Sequence, residues 1–140
     1  MLSFLQRLRD DCPDSDVDSF YTSPYDVLKT ELGMLLSSRP LYMELEGIPF
    51  VCESVLNYGI SSSIYIDSTE GHSEATNNEI SARISLALQR HEKRLYNPVV
   101  KLNFSDETCS VFSVTGLLFK RRIEFCIKWD KYSGEFSLYE

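Results

Sequence analysis

Apolar residues recur at two spacings along this chain, and the change near residue 98 separates a helical half from a sheet half. Leu2, Phe4, Leu5 and Leu8 are spaced for a short amphipathic helix over residues 2 to 10. The following "DDCPDSDVDS" carries five aspartates between Asp10 and Asp18 and reads as a solvated linker. A helix start comes next, with Ser23 as cap, Pro24 at the first helical position and Asp26 where a capping box wants a carboxylate. Leu28, Leu32, Leu35 and Leu36 make one apolar stripe that stops before Arg39-Pro40. Residues 41 to 53 are ambiguous, because Gly47 and Pro49 interrupt any regular element. "SVLNYG" reads as one helical turn closed by Gly59, which tolerates a backbone conformation that other residues resist.

Residues 67 to 78 are polar and predict a loop. Thr76 and Glu79 form a second capping box, and Ile80, Ile84, Ala87, Leu88, His91 and Leu95 then share one helical face. That helix delivers Glu92 and Arg94 near its end, just ahead of Asn97-Pro98. Beyond Pro98 the pattern alternates. Val100, Leu102 and Phe104 form one set, Phe112, Val114, Gly116 and Leu118 a second, and Ile123, Phe125, Ile127 and Trp129 a third. Phe136 and Leu138 suggest a short last strand, and turns are expected at "SDET", "KRR" and "DKYSGE". The expected fold is α+β, with N-terminal helices packed on one face of a C-terminal antiparallel sheet of three to four strands. Residues 1–22 would be a helix and acidic linker arm, and residues 23–140 a single domain.

Composition narrows the partners. Fourteen basic against 21 acidic residues give a formal net charge of −7. This argues against nucleic acid or an anionic membrane as the main ligand, although one local patch can oppose the total. The four cysteines, at 12, 52, 109 and 126, form no C-x-x-C pair and fit no zinc or disulfide framework, as expected for small apolar side chains in a reducing cytosol. No apolar run is long enough to cross a bilayer. The opening segment has two arginines within its apolar stretch and no small-residue cleavage site, so it is not a secretion signal, and the expected location is the cytoplasm.

The stretch "HEKRLYNP", from His91 to Pro98, carries the candidate chemistry. A zinc-protease helix needs H-E-x-x-H, and here the second histidine position is Leu95, while the remaining histidine, His72, lies in the polar loop. No metal or cofactor is expected. A muramidase-like hydrolase needs a carboxyl held protonated by an apolar pocket and a second carboxylate across a cleft. Glu92 is followed by Lys93 and Arg94, and adjacent cations favour the ionised form. No Ser-His-Asp or Cys-His order and no glycine-rich phosphate loop is indicated. An ionic, structural role remains. On a continuous helix, residues two apart point to different sides, so Glu92 and Arg94 would not pair with each other. If the helix ends near Glu92 they can reach separate partners across the junction, or else they stand as two surface charges.

Four features together resemble the TssE baseplate subunit of type VI secretion systems, kin to a wedge protein of contractile-tailed phages. They are "SFLQRLRDD", the helix with "LLSSRP", "SVLNYGI", and "HEKRL" ahead of the strands, and they span nearly the whole chain. The family hallmark Glu-Pro-Arg corresponds to Glu92 and Arg94, with Lys93 in place of its proline. The resemblance implies a non-enzymatic part of a baseplate wedge, at the inner face of the cytoplasmic membrane when assembled. Its partners would be the TssF, TssG and TssK types of subunit and the sheath proteins of the TssB and TssC types. No nucleic acid and no direct membrane insertion are implied. Protein-binding roles fall to Glu92, Arg94, Asn57, Tyr58 and Gly59, and an exposed sheet edge would accept sheath strands. A peptidoglycan hydrolase and an unrelated strand-pairing adaptor are the alternatives.

Overall fold

The first helix is capped as the sequence predicts: the Ser23 hydroxyl accepts from the Tyr25 N–H at 3.2 Å, and Pro24 occupies the first turn of α1, Pro24–Ser37. The computed structural model describes residues 23–40, 50, 54, 58–60 and 73–139. The helix expected over residues 2 to 10, the acidic linker, residues 41–49 and Asn57 lie outside the described residues. Two helices precede four strands in the order α1, α2 (Ser73–His91), β1 (Leu95–Ser105), β2 (Cys109–Leu118), β3 (Arg121–Asp130) and β4 (Phe136–Tyr139). The strands form one antiparallel meander in the order β1-β2-β3-β4, which makes β1 and β4 its edges. The fold is α+β, with the helices ahead of the sheet.

Leu28, Leu32, Leu35 and Leu36 of α1 are all buried, as their spacing requires, and meet Ile80, Ile84, Ala87 and Leu88 of α2 in a single core. The sheet contributes Phe112, Val114, Leu118, Phe125, Ile127, Trp129 and Phe136 to the same cluster. Helix α1 packs beside β4 and α2 beside β1. Arg39, just past α1, donates from Nη1 to the Leu36 carbonyl at 3.0 Å and from Nη2 to the Gly134 carbonyl at 2.9 Å, tying the helix end to the β3–β4 turn.

Helix α2 begins earlier than its sequence suggests, within the stretch expected to be a polar loop. It starts at Ser73, so Thr76 lies inside it and the expected capping box with Glu79 does not form its start. Glu79 instead pairs one turn along with Arg83 at 2.9 Å. The early start brings Asn77, which is buried, over the far end of the sheet. Its side-chain amide donates to Ser105 Oγ at 3.0 Å and accepts from Ser110 Oγ at 2.7 Å, so the buried polar group is satisfied.

Strand β1 departs from the expected pattern in two ways. The strand starts at Leu95, which is therefore a strand residue and not part of the helical face; it packs on Gly116, where any side chain would collide with the Leu95 Cδ1 at 2.7 Å. The register then shifts between Tyr96 and Val99, and again between Leu102 and Phe104. Each shift inserts one extra residue, the signature of a β-bulge. The second turns Phe104 opposite Val111, away from the face of Phe112 and Val114, and breaks the expected alternation of Val100, Leu102 and Phe104. Leu102 and Phe104 are both exposed.

The β2–β3 connection is shorter than "KRR" implied. Phe119 and Lys120 alone form the turn, with φ of 48° and 67°, while Arg121 and Arg122 already belong to β3. Two positive φ values suit a type I′ hairpin, whose preferred sequence is Asn-Gly. Holding non-glycine residues there costs roughly 1–2 kcal/mol apiece.

Candidate functional site

Helix α2 stops at His91, and the chain bends through Glu92-Lys93-Arg94 into β1. The Glu92 N–H still donates to the Leu88 carbonyl at 2.9 Å, and the Leu95 N–H closes the bend on the Glu92 carbonyl at 3.3 Å. Because the helix has ended, residues two apart now fall on the same side. Arg94 Nε donates to Glu92 Oε1 at 2.8 Å and Nη2 donates to Glu92 Oε2 at 2.9 Å, a forked pair. Glu92 and Arg94 thus bind each other, where a helix ending here was expected to send them to separate partners.

Arg94 also reaches further. Its Nη2 donates to Oε2 of Glu31 on α1, 63 residues away in sequence. One guanidinium therefore ties α1, the end of α2 and the start of β1 together. The cluster is largely shielded from water, with side-chain exposures of 7% for Glu92, 19% for Glu31 and 30% for Arg94. The hydrogen bond donated to Glu92 raises the Arg94 pKa further above its ordinary value, against the opposing pull of burial and with help from both carboxylate charges. Glu31 carried no motif and was missed in the sequence. Its signal is positional: at three residues after Leu28 and one before Leu32, it is a carboxylate set against the apolar stripe of α1.

The second candidate element converges on the same place. Tyr58 packs edge-to-face on His91 with ring centroids 5.1 Å apart. Burial first, and then the charges of Glu31 and Glu92, raise its phenol pKa. Gly59 adopts φ +117°, and a Cβ there would sit 2.2 Å from the Ser38 carbonyl oxygen, so only glycine lets this segment close on the α1 terminus. Ile60 follows, buried, with its N–H donating to the Ser38 carbonyl at 3.3 Å. Glu92, Arg94, Tyr58 and Gly59 are accordingly neighbours around the junction of α1, α2 and β1.

The chemistry available here is that of a brace. Both carboxylates accept from the same guanidinium, which fills the space between them. A shallow depression opens beside the cluster, lined by Gln89, Glu92, Lys93 and the start of β1 from Leu95 to Val99, and it holds a single carboxylate. Retaining and inverting glycosidases both need two carboxyl groups facing each other across the bound sugar. Among the described residues, no group of three or more His, Cys, Asp or Glu side chains could hold a metal ion. Cys109 and Cys126 are free thiols. No described helix is long and apolar enough to cross a membrane. Lys93 is exposed at the middle of the bend, and the helix ends there without a proline.

Comparison with known proteins adds no further constraint. No family model, curated protein or solved structure matches the chain.

Proposed function

We propose that this protein is a non-enzymatic subunit of a type VI secretion baseplate wedge, working in the cytoplasm at the inner face of the membrane, and that it helps nucleate contractile sheath. The observation that carries this reading is the free edge of β1. This strand runs for eleven residues, pairs only with β2 among the described elements, and carries a single formal charge, Lys101. Tyr96, Val99, Leu102 and Phe104 along it are exposed. An edge of this length and polarity is a template for an incoming strand. In this reading sheath proteins of the TssB and TssC types add to β1. Subunits of the TssF, TssG and TssK types meet Asn57 and the corner formed by Tyr58, Gly59, Glu92 and Arg94. The half-exposed Tyr58 and Arg94 supply contact there, and Gly59 supplies the shape of the corner.

The test is co-purification of the protein with wedge and sheath components, using a Leu102→Glu/Phe104→Glu variant. Both positions are exposed, so the fold tolerates the charges, while a strand docked on β1 would not. Loss of sheath recruitment with wedge binding intact is the expected result. Sheath recruitment at the wild-type level by the variant would refute the β1 edge as the docking site.

A further inference from the structure

The bend at the β2–β3 hairpin gathers three cations that none of the described residues neutralises. Lys120, Arg121 and Arg122 are all exposed and make no side-chain hydrogen bond or ion pair with the described residues. Three other arginines of this acidic chain are occupied: Arg94 by two carboxylates, Arg83 by Glu79, Arg39 by backbone carbonyls. Apolar side chains stand beside these cations: the Tyr96 row meets Arg122, while Arg121, opposite Leu118, flanks the tip from the other face. Phe119 at the tip is 68% exposed and Tyr96 is 65% exposed. The register sets Tyr96 beside Leu117 and Leu117 beside Arg122 in one row across β1, β2 and β3, on the sheet face away from Phe112 and Val114. The nearest carboxylate along β3 on that face is Glu124, two residues further on.

The turn itself is built against local preference. Phe-Lys occupies a position where Asn-Gly would be relaxed, so a large apolar ring is held outward at an energetic penalty. Departures of this kind from local consistency are expected at functional or strained sites. The tip is convex, so a protein partner would have to bring its own groove, whereas a bilayer surface receives a projecting ring without one. Lys and Arg near an anionic headgroup layer are attracted to it, and aromatic rings settle at the level of the headgroups.

We propose that the β2–β3 hairpin tip docks reversibly on an anionic lipid surface, with Phe119 and Tyr96 at the headgroup boundary and Lys120, Arg121 and Arg122 against the lipid phosphates. The overall charge of −7 does not prevent this, because charges more than about 10 Å from the contact are screened at moderate salt. Docking is peripheral and does not depend on the baseplate assignment.

Co-sedimentation of the full chain with vesicles of phosphatidylglycerol and phosphatidylcholine tests it, against phosphatidylcholine alone. Each Lys or Arg removed should lower the partition coefficient about fivefold, and the Lys120→Gln/Arg121→Gln/Arg122→Gln variant about a hundredfold. Phe119→Ala should weaken binding with all three cations present, and added salt should release the wild type. These positions are exposed, and an unchanged circular dichroism spectrum verifies that each variant folds. Equal partition onto neutral and anionic vesicles, or anionic binding that survives the triple substitution, overturns the proposal. No vesicle binding at all also overturns it, and would leave an acidic protein segment as the partner of this patch.

Discussion

Replacing Arg94 by methionine removes the guanidinium that reconciles two carboxylates at the junction of α1, α2 and β1. Glu92 would be left 7% exposed and Glu31 19% exposed, facing each other without that cation. Breaking a fully buried ion pair by deleting one partner costs about 3–5 kcal/mol. Arg94 is itself 30% exposed, so water can enter where its guanidinium stood, and the expected loss is nearer about 2–3 kcal/mol. Urea unfolding followed by circular dichroism measures this as a lowered midpoint at unchanged slope. A second variant isolates the cause. Glu31→Gln/Glu92→Gln/Arg94→Met removes all three charges and should regain most of the lost stability, because uncharged groups no longer repel or demand a cation. A loss under about 1 kcal/mol for Arg94→Met would mean that the cluster behaves like a surface pair. Failure of the triple variant to recover would mean that packing, and not charge, holds the corner.

Other sites carry their own expected outcomes. Gly59→Ala sets a methyl group 2.2 Å from the Ser38 carbonyl at a φ of +117°, and should cost about 3 kcal/mol or more in the same unfolding assay. Phe119→Asn/Lys120→Gly relaxes the hairpin and should raise stability by about 1–2 kcal/mol, seen as a higher melting temperature, while weakening vesicle binding. The Asp106 carboxylate accepts from the Cys109 N–H, the Thr108 hydroxyl and the Thr108 N–H, which lowers its pKa from 3.8 to about 2. A depressed acid adds stability above its unfolded value of 3.8 that is lost as pH falls through about 2; the stability gap between wild type and Asp106→Ala should close over that interval. Tyr58 has the opposite sign. Its phenol keeps a proton in the folded chain that the unfolded chain loses near 10.0, so stability should fall as pH rises past that value, and Tyr58→Phe should remove this part of the slope.

The fold was readable wherever burial follows one local period. The α1 stripe and the three alternating sets from Phe112 to Leu138 contain their own answer, since each residue's neighbour along the element decides which way it faces. The misreadings share a cause: long-range contacts override a local signal. Thr76 and Glu79 look like a helix start, but the polar knot of Asn77, Ser105 and Ser110 fastens the preceding turn to the sheet. Phe104 continues the alternation on paper, and an extra residue in β1 turns it to the other face. For the site, spacing alone placed Glu92 and Arg94 at a helix end, yet their mutual pairing depends on where that end falls, which hydrophobic period does not fix. Glu31 lies 63 residues from its partner, beyond the reach of any spacing argument. An exposed edge of the meander was expected, with no strand named; the low charge of β1 becomes meaningful only once β1 is known to be an outer strand.

The position of Arg94 directly before β1 has a mechanical consequence. A pull directed along β1 loads its hydrogen bonds to β2 together, in shear, and the guanidinium clamp anchors the leading end to both helices. A pull directed across the strand would instead peel those bonds one at a time from Ser105 inward, toward the same clamp. The domain should therefore yield far more readily to peeling than to axial tension.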